Sequence, residues 1–206
     1  MNFKGILIEI ATIIFAVLLA LAGEGLWEHH KTMEMVDVSA ERLNKEIADN
    51  LCELVRTEKS ATLKYNNLLA LESEVKNNAS FADLANKFNG YEGVFINSST
   101  WKRILNDKIE TYFPVDYIEK AYNIYNVVEI AQLEKESLIK FLFSDIYFNK
   151  DKEKTAFEIS KLYYKELIRL CREAQKEHKK FIEEYDGKNY KQVIAKCDSI
   201  SALFAK

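Results

Sequence analysis

The chain holds three histidines, His29, His30 and His178, so acid–base, nucleophilic or zinc chemistry must be built around these or do without imidazole. Glu24 and Glu28 stand four residues apart, as do His30 and Glu34, and on a helix that spacing puts side chains on one face within reach of a surface cation. Polar residues edging an apolar segment are the simpler reading of the same pattern. No histidine follows a glutamate at the third position, so the Glu-x-x-His pair of di-iron bundles is absent. Neither G-x-S-x-G, a P-loop nor G-x-G-x-x-G occurs. Acylating Ser-His-Asp or Cys-His machinery would need a positioned His, and His178 sits in the charged run KEHKK (176–180). The sequence therefore predicts no catalytic residue, no metal and no cofactor. Trp101, with Tyr117, Tyr122, Tyr125, Phe141, Phe143, Tyr147 and Phe148, has the composition of a ligand pocket. Aromatics at helical spacing also build ordinary cores, and Trp101 is retained as a candidate ligand or partner surface.

The chemistry that remains is that of surfaces. The formal net charge is -3 and the basic runs interleave acids, which is poor footing for a phosphate backbone, so no nucleic-acid partner is expected. One proline and six glycines among 206 residues leave little material for turns and imply long helices. Three cysteines, Cys52, Cys171 and Cys197, show no C-x-x-C spacing and do not form a disulfide framework. Cys52 and Cys171 fall at buried apolar positions, and a Cys171–Cys197 pair is left open for a domain outside the cytoplasm.

Residues 6 to 31, ILIEIATIIFAVLLALAGEGLWEHHK, approach the ~20 apolar residues that cross ~30 Å of hydrocarbon. A cleaved signal would use Lys4 as its basic end and Ala20-Leu21-Ala22 as its cleavage motif. Glu9 inside the apolar run, and the lack of a breaker before the following helix, favour a permanent anchor. At 100° per residue, Glu9, Thr12, Ala16, Ala20, Gly23 and Trp27 form one stripe of small and polar residues, opposite Ile6, Ile10, Val17, Leu18 and Leu21. Such a stripe permits close helix–helix approach in a bilayer; the alternative is that Glu9 simply reaches toward the headgroups. Carried forward, the stripe points away from Val36, Leu43, Ile47 and Leu54.

Between Leu26 and Asn89 there is neither Gly nor Pro. Val36, Ala40, Leu43, Ile47, Leu51 and Leu54 mark one apolar face, so the anchor is expected to run on to about Lys76-Asn77-Asn78, with a kink or break on the way. A short helix is expected between Ser80, as the start of a capping box with Asp83, and Asn89-Gly90. Gly90 to Asn97 reads as a loop. Ser98 or Ser99 then caps a helix through Trp101, Ile104 and Leu105. Pro114 opens a helix expected to reach about Phe148, and NKDKEK is a turn. A helix from about Thr155 to Tyr185 places Ile159, Leu162, Tyr163, Leu167, Leu170 and Ala174 on one side, and a last helix runs from about Tyr190 to Phe204. The expected fold is all-α: residues 1–30 a single transmembrane helix, and 31–206 a soluble domain in which its amphipathic continuation packs in an antiparallel helical bundle.

The run E-I-x-x-I-x-x-x-V-L-L-A-L-A-G-E-G-L-W-E-H-H-K, Glu9 to Lys31, resembles the opening of a group of uncharacterised bacterial inner-membrane proteins. Those begin with a Glu-containing span of the A-L-…-W-x-E type, here Ala20-Leu21 and Trp27-Glu28. A helical domain follows with a Ser/Thr-x-Trp segment, here Ser99-Thr100-Trp101, and an aromatic helix, here around Tyr122 and Tyr125. The chain departs from that pattern after Trp101, where RILNDK replaces a small Ser/Gly turn. The resemblance implies a single-span anchor and an α-helical domain, with no established activity. The reading is a bacterial inner-membrane protein, single-pass, its domain periplasmic, acting through protein–protein contacts as scaffold, sensor or complex subunit. Its expected partners are the membrane and either further copies of itself or another membrane protein. The alternative is an effector that oligomerises through the Glu9 stripe to perturb the bilayer.

Overall fold

The structure is a computed structural model that describes residues 3–76 and 80–202. Asn77, Asn78 and Phe204, proposed above as helix ends, lie outside the described residues. Among the described residues all regular structure is helical. Helix α1, Phe3–Ala70, is a single uninterrupted helix of 68 residues, about 100 Å long at ~1.5 Å per residue. The expected break is absent, because nothing in this stretch withholds a backbone donor: it has no proline, and its glycines lie in the opening third. One segment near its start is long and apolar enough to cross a membrane. The helix stops at Ala70, where Leu71 and Glu72 tighten to three-residue bonds and the chain turns so that Leu71 and Val75 are buried.

Helix α2, Phe81–Ala85, ends through a further turn at Asn89 and Gly90, both with φ near 65°; this left-handed geometry is one that Asn and Gly adopt most readily. A backbone bond from Asp83 N–H to the Ser80 carbonyl closes the opening turn, in place of the expected side-chain box. An irregular segment leads to α3, Ser99–Asn106. Helix α4 spans Val115–Leu142, stopping short of the expected Phe148. A separate turn of helix, α5, covers Asp145–Phe148, and within FLFSDIYF the ring of Tyr147 is buried while Phe143 and Phe148 are exposed. Helix α6, Glu153–Tyr185, and α7, Gly187–Ala202, complete the order.

Helices α1 and α6 are antiparallel. Leu54 pairs with Gln175, Glu58 with Arg172 and Tyr65 with Tyr164 along their contact. Helix α4 opposes α6 as well: Tyr117 near its start meets Phe181 and Tyr185 near the end of α6, while Leu138 and Phe141 near its end line one groove with Ile159 and Leu162 near the start of α6. Tyr117 also bonds Asn44, and Tyr125 bonds Glu46, so α4 runs parallel to α1. The antiparallel packing expected of the long helix holds in part, for α1 on α6; α4 departs from it, because residues 71–114 carry the chain back down α1 before α4 begins. One core, around Leu43, Ile47, Leu51, Trp101, Ile124 and Phe181, lies nearer the apolar stretch. The other, around Phe81, Phe88, Phe157 and Tyr164, lies at the far end.

The predicted face of α1 is the observed one, with Val36, Leu43, Ile47, Leu51 and Leu54 all buried. On α6 the prediction needs correction at Leu162, which is 68% exposed. Tyr163, Leu167, Leu170 and Ala174 are buried as expected, and the buried arc widens past them through Ala156, Phe157, Ser160, Tyr164 and Ile168.

Candidate functional site: the stem and its base

All six stripe residues, Glu9, Thr12, Ala16, Ala20, Gly23 and Trp27, are exposed, Trp27 by 69%. They belong to one unbroken helix, so their common face is preserved. From Thr12 to Lys31 every residue is exposed, and the first buried side chain is Val36. The apolar stretch is therefore a stem standing clear of its own domain, with Val17, Leu18 and Leu21 exposed on its other side. The side chains of Ile6 and Ile10 lie outside the described residues. A methyl group added at Gly23 or Gly25 would meet nothing within 4 Å beyond the adjoining backbone of its own helix and its two chain neighbours.

Glu24, Glu28, His30 and Glu34 are likewise exposed. Among the described residues, no group of three His, Cys, Asp or Glu side chains comes together to hold a metal ion.

Trp101 is 5% exposed and belongs to the core. Its ring stacks on Tyr125 at 5.2 Å and 2° and meets Tyr122 edge-on at 4.8 Å. These rings pack α3 onto α4. The sequence reading missed the side chain that fixes this helix end, Glu46 of α1. Neither Ser98 nor Ser99 supplies a side-chain cap. Instead the Glu46 carboxylate accepts from Thr100 N–H at 2.7 Å, Trp101 N–H at 3.4 Å and Ser99 Oγ at 3.1 Å. The Tyr125 hydroxyl donates to its other edge at 2.5 Å. A carboxylate at a helix N-terminus meets otherwise unpaired donors and the favourable end of the dipole. Asn50, one turn on, clasps the backbone of Asn97 through both its amide atoms. The available clue was the phase of Glu46, an acid beside Ile47 on the apolar arc.

Two further carboxylates tie α1 to the rest. Glu92, in the irregular segment, accepts from Ser60 at 2.5 Å and pairs with Lys64 at 2.9 Å. Burial works to raise its pKa, but the bonds from Ser60 and Lys64 and the charges of Lys64 and Arg56 prevail and lower it. Glu58 takes Arg172 at 2.8 Å and Gln175 at 3.2 Å, and its pKa too falls, against the opposing effect of burial. Tyr163 and Tyr164 donate to the carbonyls of Glu92 and Gly90, which stitches the segment to α6.

The chain matches no family model, no curated protein and no solved structure. What the polar groups do must therefore be read from their geometry. Every donor around Glu46 is satisfied within the fold, which makes it a structural cap. His178 is fully buried, with Nδ1 donating to the Ala174 carbonyl at 2.7 Å and Nε2 unmatched. Burial pushes its pKa down to about 4. Cys171 is a buried free thiol, its pKa pushed up to about 12 by burial, and a thiol so protonated is a poor nucleophile at neutral pH. The disulfide joins Cys52 of α1 to Cys197 of α7, with Cα atoms 4.6 Å apart. This replaces the Cys171–Cys197 pairing left open above: Cys171 faces the far core, whereas Cys52 and Cys197 belong to the near one.

Proposed function

We propose that this protein is a single-span, membrane-anchored helical protein that works through protein–protein contacts, as a scaffold, sensor or subunit of a membrane complex. The observation that carries the reading is the stem: an apolar helix exposed at every residue from Thr12 to Lys31 that continues without a joint into the domain core. Lipid accounts for the exposed Val17, Leu18 and Leu21. The face of Glu9, Ala16, Ala20 and Gly23 is the side on which a second copy or another membrane helix packs, since small residues allow close approach and polar ones bond across it. The resemblance at Glu9–Lys31 agrees with this reading and extends it to a bacterial inner membrane.

The domain is placed outside the cytoplasm. The Cys52–Cys197 bond supports that side, because disulfides persist in oxidising compartments and are rare in reducing ones.

Two measurements test the reading. Replacing Glu9, Ala16 and Ala20 together by leucine is expected to abolish crosslinked oligomers or partner adducts in membranes while leaving the domain folded. Unchanged adducts would sink the contact-face assignment, and dye leakage that depends on Glu9 would turn the reading toward a membrane-perturbing effector. A reporter fused after Lys206 is expected to be active only on the periplasmic side.

A further inference from the structure

Helix α7 is anchored differently from the other long helices. Of its residues whose side chains are described, Cys197 alone is buried; Tyr190, Val193, Ile194 and Ile200 are only half-buried against the near core. Among the described residues its polar tie to α1 is one exposed pair, Lys196 with Asp49 at 2.8 Å, of a kind worth little in water. Between the two helices lies an open groove of about 700 Å³, lined by Val38, Arg42, Lys45 and Ala48 on one side and Asn189 and Gln192 on the other. A 16-residue helix of this kind is marginal alone, and four half-buried side chains are set against the ordering entropy of the whole segment. The covalent link supplies the difference by removing loop-closure entropy from the undocked segment.

The geometry points to α7 as a strap that closes on α1 when the Cys52–Cys197 bond forms and comes off as a unit when it is missing. Closure is an oxidation: the two thiols give up two protons and two electrons to the disulfide of a thiol–disulfide exchange partner, which leaves as a dithiol. The face that α7 covers is in line with the stem, since Val38 and Cys52 fall within about 20° of Trp27 on the same helix. Opening the strap therefore lengthens the bare side of α1 from the stem into the domain.

The test uses the full chain in detergent with Cys197→Ala, which removes the bond and keeps a small apolar side chain. A maleimide is added, and Cys52 and Cys171 are read separately by peptide mapping, each against its rate in denaturant. A released strap exposes Cys52, so its labelling is expected to rise to within roughly tenfold of the denatured rate while Cys171 stays protected. Amides of residues 188–200 are expected to lose exchange protection in the same sample. If Cys52 stays protected, α7 docks without the bond and the proposal fails. If Cys171 labels as fast as Cys52, the bond holds the whole domain and no strap exists.

Discussion

Glu46 decides more of the local structure than any other single side chain. Its replacement by alanine leaves the Thr100 and Trp101 N–H groups and the Tyr125 hydroxyl facing a void. Each buried donor without an acceptor costs about 1–3 kcal/mol, with water entry reducing the sum. Glu46→Ala is expected to destabilise the domain by about 2–4 kcal/mol in urea unfolding followed by circular dichroism. Arg103→Ala, which breaks an exposed pair with Asp107, is expected to change it by under about 0.5 kcal/mol. His178 gives the domain a pH dependence of known sign. Its folded pKa lies below the unfolded value, near 6.5, so between these limits the unfolded chain binds the extra proton. Stability is then expected to fall as pH drops from about 6.5 to about 4, by up to roughly 3 kcal/mol. His178→Met should remove that slope from a pH series of urea midpoints. Glu58 and Glu92 add a second loss at lower pH. Their folded pKa values are lowered, so their contribution is present above the unfolded carboxylate value and disappears as pH falls through the folded one.

Among the elements, α3 and the irregular segment before it are held by partners far away in sequence. Trp101→Ala removes the stack on Tyr125 and the edge contact with Tyr122. It is expected to cost about 3–5 kcal/mol, the range for deleting a buried aromatic side chain. Trp101→Phe should retain most of that stability. Intrinsic fluorescence reads the change directly, because the other tryptophan, Trp27, is on the exposed stem. The elements also explain how far the sequence could be read. The apolar face of α1 was legible because Val36, Leu43, Ile47 and Leu54 repeat at helical spacing and nothing competes with them. The face of α6 was misjudged at Leu162, since two neighbours, α1 and α4, set its buried arc and small residues such as Ala156 and Ser160 occupy part of it. The start of α3 was found, but its cap was sought at Ser98 and Ser99. Side-chain caps from another helix leave no local signature.

For the molecule as a whole, the governing feature is that an exposed stem and the domain share one helix. An alanine inserted between His29 and His30 turns the stem by about 100° relative to the domain. Domain stability is expected to stay within about 0.5 kcal/mol of wild type by urea unfolding, because residues 12–31 are all exposed and the buried core starts at Val36. Chain composition and periodicity by themselves determined the all-α class, the apolar stem, its continuation into the core face of α1 and the lack of any catalytic motif; these follow from hydrophobic spacing and from the near-absence of helix breakers, which act within a few turns. Tertiary structure alone decided that α4 runs parallel to α1, that Trp101 is buried, that Glu46 caps α3 and that Cys52, not Cys171, meets Cys197. Each of those depends on which surfaces meet across 50 residues or more. Such meetings are settled by the packing of the whole chain, to which local spacing is blind.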